Sequence, residues 1–547
     1  MLNIRPGEWR ETGFFWFFTF MCWFSLALGD SISDTLFIKR AGVENLPLMF
    51  IFCSLAAIPV SLLLAVLQGR VAKRKLTAGA GLASAVAVFA AVHYISNSDS
   101  GSVVGCYVLY FVTNLLVFVV PVILSVLLGT QFNALKAKRL VPIVFTGVIA
   151  GRVAAGGTLS YLALRYPVPS ILWFWAVMHA LAFVFFFIGS SSYVKPQIQS
   201  FFQRPGEQKQ TRFFDRLRNF VRTLTESQLV LFLVISAVMA NFSFYFAEFQ
   251  SASILNAHFA SENDLALFYG WFTIGASLLA FLFQAFITGG LIQRLGISNT
   301  NVIYPILALT AFLGTTFSYT LVPGVWLKFV QIGLLTALFQ PVSNLFYNAL
   351  PPREKARIIT VSEGVVQPLG TVVTGLLLYH AGTSTDLIRF FPLAAAAVWI
   401  AVTVLMRKPY RDSLLKLLRS SSLDFFNKGD LQKLNLDRNT FNLMLGHLDS
   451  ADEEASVLIV QLIVSNCDRG SREQMMRKLS GFSEERKEEL LRQVVLPVDH
   501  FTAEFLFACL DSSNPELQYQ ALKAISIFPS SPRLRQRVTS FIASDSE

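Results

Sequence analysis

The chain has 547 residues, of which 54% are hydrophobic and only 15% are charged, and its formal net charge is +10. Soluble globular proteins carry about 25% charged residues, so this composition, with 51 phenylalanines and a mean hydropathy of +0.53, excludes an ordinary soluble protein and predicts an integral membrane protein. The positive charge does not indicate a nucleic-acid partner, because the basic residues fall in loops between apolar spans, where they set membrane orientation. The five cysteines show no metal-binding or redox spacing, so we predict neither a metal site nor a cofactor.

The hydrophobic pattern predicts twelve membrane-spanning helices. A spanning helix needs about 20 predominantly apolar residues, and runs of this kind alternate with short polar breaks. The predicted spans are 12–38, 46–68, 77–95, 103–129, 143–164, 168–190, 227–250, 264–288, 301–320, 324–349, 358–379 and 387–406.

A polar segment at 191–226 divides the spans into an N-terminal six-helix bundle (1–190) and a C-terminal six-helix bundle (227–410). The two halves resemble each other, since each begins with a span that carries an acid near one end, Asp34 in the first and Glu248 in the second. Repeated halves are typical of transporters that rock around a central site. Spans 5 and 11 are rich in glycine, which favours close helix packing.

The distribution of lysine and arginine predicts the orientation in the membrane. If the N-terminus is cytoplasmic, the cytoplasmic loops carry eighteen Lys and Arg residues and the outer loops carry four, namely Lys39, Arg40, Arg165 and Arg389. Cytoplasmic loops are enriched in basic residues. We therefore predict a multi-pass protein of the plasma (inner) membrane with both termini in the cytoplasm.

Residues 411–547 have a different character and predict a soluble domain of short amphipathic helices. In FTAEFLFACLDSSNPELQYQALKAISIF (501–528), an Asp-Ser-Ser-Asn-Pro turn separates two helical segments, and 447–465 repeats the design. The pattern resembles HEAT-type helical repeats, which stack in pairs and usually bind partners. We expect a protein partner for this domain.

Charged side chains inside the spans are candidates for a functional site, because a charge facing lipid is costly. Asp30 and Asp34 are four residues apart and share one helix face. In known transporters built from two six-helix bundles, spans 1, 4, 7, 10 and 2, 5, 8, 11 surround a cavity, and we expect the same here. The ionisable residues fall in spans 1, 5, 7, 10 and 11. The ionisable candidates are Asp30, Asp34, Arg152, Glu248, Lys328 and Glu363, and the amides deep in their spans are Asn114, Gln331 and Gln367.

Several candidates have two open interpretations. Lys328 either pairs with an acid as an outer gate or forms a permanent structural ion pair. Arg152 either holds a carboxylate or phosphate of the solute in its rigid fork or neutralises a nearby acid, and Glu363 is either a proton site or a helix cap. We assign Arg152, Lys328, Asn114, Gln331 and Gln367 to substrate binding, and Asp30, Asp34, Glu248 and Glu363 to gating or proton coupling.

Several segments resemble the ATP/ADP translocase (nucleotide transporter) family, and most closely its bacterial branch, in which HEAT-like helices follow the transporter. These are Asp30-Ser-Ile-Ser-Asp34-Thr-Leu-Phe with Gly42 and Leu46-Pro47, the stretch 265–294 and the stretch 345–370. The resemblance covers most of residues 12–406. It implies a major-facilitator-like fold and the exchange of nucleotides such as ATP and ADP.

The sequence thus predicts an all-α, twelve-helix 6+6 membrane bundle with a cytoplasmic HEAT-like domain, and no catalytic residues. No Gly-rich phosphate loop is present, so transport is expected to be secondary. The resemblance favours an antiporter of nucleotides or related phosphorylated metabolites. The excess of acids among the charged candidates favours a proton-coupled carrier of another small solute, and the soluble domain leaves open a transport-inactive scaffold.

Overall fold

The computed structural model of the chain describes residues 8–97, 103–132, 134–194, 227–350, 361–381, 385–419, 469–493 and 500–525, with isolated positions at 224, between 355 and 359, and between 441 and 464. Every regular element in the described part is a helix. The predicted linker at 191–226 and most of the predicted repeat at 447–465 lie outside the described residues.

Eleven helical stretches in the described part are long and apolar enough to cross a membrane. The longest, Glu262–Phe317, has 56 residues and would be about 84 Å long at 1.5 Å per residue, far more than the roughly 30 Å of a bilayer core. It is broken at Gly296, whose φ of 80° and ψ of 163° are not helical. This stretch therefore accounts for two of the twelve predicted spans.

The helices of the membrane part are α1 (Trp9–Leu36), α2 (Leu46–Arg70), α3 (Lys73–Asn97), α4 (Val103–Gln131), α5 (Ala134–Ala163), α6 (Val168–Tyr193), α7 (Gln228–His258), α8 (Glu262–Leu282), α9 (Gly289–Phe317), α10 (Leu321–Phe346), α11 (Gln367–Ala381) and α12 (Thr385–Leu405). Wider π-helical turns lie at four places, which are Phe37–Ala41 after α1, Phe283–Thr288 after α8, Val330–Phe339 inside α10 and Ser362–Val366 before α11.

The largest boundary errors in the prediction have a common cause. A hydropathy window ends at the first polar residues, but the helix continues through them. Helix α7 continues to His258 rather than ending near 250. Within this extension the hydroxyls of Ser251 and Ser253 donate to the backbone carbonyls of Glu248 and Phe249. These bonds to the preceding turn satisfy the hydroxyls within the helix.

Glycines bring the central helices into backbone contact. A Cβ on Gly151 of α5 would lie 2.5 Å from the backbone oxygen of Phe20 in α1, and one on Gly156 would lie 2.5 Å from the backbone oxygen of Gly270 in α8. On α11, a Cβ on Gly375 would lie 2.8 Å from the backbone oxygen of Pro47. The α5–α8 and α2–α11 contacts join the two halves, so these glycines serve helix packing.

Most of the membrane helices of both halves fall in one compact unit. Residues 406–547 form a second unit together with 289–300, at the start of α9, and 342–355, which includes the end of α10. The second unit contains helices α13 (Arg407–Arg419), α14 (Arg469–Ser480), α15 (Glu484–Gln493), α16 (His500–Leu510) and α17 (Pro515–Ile525). As expected, α16 and α17 flank the Asp-Ser-Ser-Asn turn, where the Asn514 side chain accepts from the backbone N–H of Glu516. Leu506, Cys509, Leu517 and Ala521 lie in its buried core.

The glycine contacts predict a matched pair of variants. Gly151→Ala should lower the unfolding temperature of the detergent-purified protein, because its new methyl group meets the α1 backbone and overpacking costs about 1–3 kcal/mol. Gly157→Ala is the control, since a Cβ there meets nothing within 4 Å. Equal unfolding temperatures for the two variants would contradict the assigned packing.

Burial in the second unit predicts that folding protects the Cys509 thiol from alkylation. Burial raises the pKa of the Cys509 thiol to about 11, so at pH 8 the thiol stays protonated, and only the thiolate is alkylated. Iodoacetamide labelling of Cys509, followed by peptide mass spectrometry, should be slow at pH 8 in the folded protein and fast after unfolding in urea. Rapid labelling of the folded protein would show that this core is not closed.

Candidate functional site

A cavity of about 460 Å³ lies between the two halves of the membrane unit. Helices α1, α4 and α5 of the first half and α7, α8 and α10 of the second line it, with Phe50 contributed by α2. We call this cavity the central chamber. Its charged lining residues are Asp30, Asp34, Arg152, Glu248 and Lys328, and its amide residues are Asn114, Gln331 and Gln340.

Five of the six ionisable candidates therefore meet in one chamber, but Glu363 and Gln367 do not line it, contrary to expectation. Glu363 lies in the π turn before α11 with its side chain exposed. Helix α11 packs against α2 and α7, and the main-chain oxygen of Gln367 accepts from the Asn241 amide at 2.6 Å. Because α2 and α7 cover this helix, its polar residues do not reach the chamber.

One end of the membrane unit is closed by polar contacts between the halves, and we call it the linked end. Arg40 makes a two-pronged ion pair with Glu262, with N–O distances of 2.6 and 3.0 Å. The Lys39 ammonium donates to the backbone oxygen of Asn256 at 3.0 Å and to that of Phe259. The Asn263 amide donates to the backbone oxygens of Ala163 and Tyr166 at 2.6 and 2.8 Å. These contacts join the first half to the second at this end.

Lys328 and Glu248 form a buried ion pair on the chamber wall. The Lys328 ammonium lies 2.6 and 2.7 Å from the two carboxylate oxygens of Glu248, and Lys328 is only 2% exposed. The Gln331 amide donates to the same carboxylate at 2.7 Å and to the backbone oxygen of Phe244 at 3.0 Å. Lys328 also lies 6.0 Å from the centre of the Tyr269 ring. Its charge is thus balanced within the protein.

Asp30, Asp34 and Arg152 differ from that pair, because none of them forms a hydrogen bond or ion pair with another described residue. All three are partly exposed and line the chamber. Asp30 is close enough to Arg152 for their charges to interact, yet the two are not in contact. These three groups are therefore available to water, protons or a solute.

The charged groups are separated along the chamber axis. Helices α1 and α5 run side by side, with Gly147 against the backbone of Trp16 and Gly151 against that of Phe20 and Phe24. Arg152 is therefore level with residues 20–24 of α1, which puts its backbone about 10 Å further from the linked end than Asp30 at 1.5 Å per residue. The acids lie toward the linked end and the unpaired cation lies toward the opposite end.

Half of the remaining lining residues are aromatic, and sequence reasoning based on charge missed them. They include Trp23, Tyr110, Tyr245, Tyr269 and Phe272. Helical spacing would have found several of these residues, since Trp23 lies seven positions before Asp30 and Tyr110 four before Asn114 on the same helix faces. The hydroxyl of Tyr269 and the Oε1 atom of Gln331 are buried without a hydrogen-bond partner.

The chamber wall on α10 is wound as a π-helix over Val330–Phe339, which contains Gln331 and Thr336. At its far end the Thr288 hydroxyl, at the end of the π turn after α8, donates to the backbone oxygen of Ala337 at 2.8 Å. π-Helical turns are frequent at functional sites. The sequence identified Gln331 in this segment but gave no sign of its π-helical winding, because the rest of the segment is mostly apolar.

Comparison with solved structures places the fold among membrane transporters. The nucleoside transporter NupG is 13% identical with a TM-score of 0.52, over 74% of this chain and 99% of that one. A POT family transporter in complex with 5-aminolevulinic acid is 13% identical with a TM-score of 0.51, over 74% and 96%. The xylose transporter XylE from E. coli, in an inward open conformation, is 12% identical with a TM-score of 0.50, over 74% and 98%.

No protein-family model and no curated protein sequence matches the chain. At these identities, the likeness to the solved structures shows the fold alone. The chain is a multi-pass membrane protein with a transporter fold, and to this extent the predicted fold class is confirmed.

The buried ion pair predicts an asymmetric response to mutation. Lys328→Met should destabilise the protein by about 3–5 kcal/mol, because it leaves Glu248 buried without its partner charge. Adding Glu248→Gln should recover much of this loss. The control is Arg477→Met, whose pair with Glu473 is largely exposed and contributes about 1 kcal/mol or less. Thermal unfolding in detergent would measure all three, and a double variant as unstable as Lys328→Met would contradict the pairing.

Proposed function

We propose that this protein is a secondary active transporter that moves a small polar solute through the central chamber by alternating access. The observation that carries the proposal is the convergence of five charged side chains on one chamber between two halves of a transporter fold. Charged groups at membrane depth are costly and usually functional. The absence of described protein partners for Asp30, Asp34 and Arg152 supports a role in contacting the solute or a coupling proton.

We further propose that the linked end faces outward and that both termini are cytoplasmic in the plasma (inner) membrane. The excess of basic residues in the alternate loops supports this orientation. The present conformation, with its polar contacts closing the linked end, then corresponds to an inward-facing state. Transport requires the Lys39, Arg40 and Asn263 contacts to break in an outward-facing state.

The charge balance of the chamber favours a proton-coupled carrier over a nucleotide exchanger. ATP carries about four negative charges and is usually held by several Lys or Arg side chains, whose charge-assisted bonds to phosphate are the strong ones. Here Lys328 is already paired with Glu248, and Arg152 shares the chamber with two unpaired carboxylates. Nucleotide antiport remains the second candidate because of the resemblance of residues 12–406 to ATP/ADP translocases.

The role of residues 411–547 is also part of the proposal. The helix pair α16–α17 supports a HEAT-like arrangement on the cytoplasmic side. Helical repeats commonly present surfaces for protein partners, so we propose that this domain binds a protein and adjusts the working transporter.

The proposed transport predicts uptake that depends on the chamber residues. Proteoliposomes should accumulate at least one labelled compound from a panel of ATP, ADP, amino acids, dipeptides and sugars, with and without an imposed pH gradient. Uptake should be lost in Arg152→Met and Asp30→Asn, which remove unpaired charges from the chamber. Glu473→Gln is the control, since Glu473 lies in the second unit, outside the chamber. Flat traces across the panel would refute transport.

Alternating access predicts that locking the linked end stops uptake. A short thiol-specific crosslinker on the double variant Arg40→Cys/Glu262→Cys should abolish uptake of the active compound, because the linked end can no longer open. The same reagent applied to each of the single variants Arg40→Cys and Glu262→Cys supplies the control. Unchanged uptake in the crosslinked protein would contradict the mechanism.

A further inference from the structure

We infer that the solute of the central chamber is a zwitterion, with a protonated amine at Asp30 and Asp34 and a single acidic group at Arg152. This inference rests on the proposed transport function and names the class of solute for the same chamber. It follows from the balance of charge, the placement of the charges and the unpartnered polar atoms in the wall.

The balance of charge comes first. The ion pair of Lys328 with Glu248 is satisfied at 2.6 and 2.7 Å and is also capped by Gln331. It therefore adds no net charge for a solute to neutralise. What remains is two carboxylates and one guanidinium, so the unpaired part of the chamber needs both a cation and an anion from its contents.

The placement of these groups separates the two requirements. Asp30 and Asp34 are one helical turn apart on α1, toward the linked end. Arg152 lies about 10 Å further along the axis at the backbone level, and its long side chain shortens the gap that a solute must bridge. A molecule with an amine at one end and an acid at the other matches this polarity, whereas a compact polyanion places several charges beside Asp30.

The unpartnered atoms in the wall supply an independent observation. The Tyr269 hydroxyl and the Gln331 Oε1 atom belong to side chains that are 3% and 2% exposed, and neither has a hydrogen-bond partner. A carbonyl oxygen accepts only, and a phenol oxygen can accept. Both side chains line the chamber, Tyr269 on α8 and Gln331 on α10, and the Tyr269 hydroxyl is close enough to Asp30 and Asp34 to be affected by their charges. Acceptors beside carboxylates suit an N–H donor.

The aromatic lining fits the same cation. Ammonium groups are attracted to the faces of Trp and Tyr rings. Tyr110 is close enough to Asp30 and Asp34 for their charges to act on its hydroxyl, and Trp23 and Tyr245 line the same chamber. A proton on Asp30 or Asp34 would satisfy the carboxylates without an amine. That alternative predicts a solute that is a simple anion, which the experiment below distinguishes.

The test uses matched ligands with the purified full-length protein. The zwitterions 5-aminopentanoic acid and Ala-Ala are each compared with an N-acetyl derivative, which keeps only the anion, and an amide derivative, which keeps only the cation. ADP and a diamine complete the set. Thermal stabilisation over a concentration series gives apparent affinities. A zwitterion should stabilise the protein, and blocking either charge should weaken binding by about tenfold or more, the value of a charged hydrogen bond.

Two variants make the test specific to each charge. In Arg152→Met, the amide derivative should bind as well as the zwitterion, because the acidic group has lost its partner. In Asp30→Asn, the N-acetyl derivative should bind as well as the zwitterion. A purely structural role of either residue would weaken the binding of all ligands alike. The control Glu473→Gln, in the second unit, should leave the wild-type order of affinities intact.

The outcomes separate this inference from the proposed function. Three results would overturn the inference of a zwitterionic solute. They are no stabilisation by either zwitterion at millimolar concentration, equal binding of zwitterion and N-acetyl derivative by the wild type, and a preference for ADP or the diamine. If ADP or another compound of the panel is nevertheless taken up by proteoliposomes, transport stands and only the solute class is wrong.

Discussion

The cost of placing an ionised side chain in hydrocarbon governs the structure of this protein. With so few charged residues in its spans, the fold must either pair each one or turn it toward a shared polar space. Lys328 and Glu248 are paired, and the Glu248 carboxylate accepts hydrogen bonds from the Lys328 ammonium and from the Gln331 amide. Asp30, Asp34 and Arg152 are turned toward the shared polar space. The chamber exists where the unpaired groups of α1 and α5 face the paired groups of α7 and α10.

The close packing of the helices and the openness of the chamber depend on different residues of the same elements. On α5, Gly151 and Gly156 remove side chains where α1 and α8 approach at backbone distance. Arg152 follows Gly151 directly and points to the chamber. A helix can thus be a packing surface on one face and part of a polar site on another. Arg152, the one unpaired cation among the described lining residues, can therefore lie next to glycines that pack against other helices.

Much of this arrangement could be predicted from the order of residues, for physical reasons. The twelve spans follow from bilayer thickness, and Asp30 with Asp34 were placed on one face by helical spacing alone. The position of α11 could not be predicted in this way, because its packing against α2 and α7 is a tertiary contact. Sequence spacing alone therefore could not show that Glu363 and Gln367 do not line the chamber. The π-helical wall of α10 was equally invisible, since Val330–Phe339 differs in winding and not in hydropathy. The choice of Glu248 as the partner of Lys328 likewise needed three-dimensional contacts.

The chemistry of the linked end has a consequence for the balance between conformations. The side chains of Arg40 and Glu262 keep about a quarter of their surface open, at 24% and 25%, and such semi-exposed pairs contribute about 1 kcal/mol or less. Added electrolyte screens them, over a Debye length of about 8 Å at physiological ionic strength. The buried pair of Lys328 and Glu248 is shielded from this effect. In the proposed transport cycle, the ionic strength at the linked end therefore biases which face of the protein is open, while the chamber keeps its charge pattern.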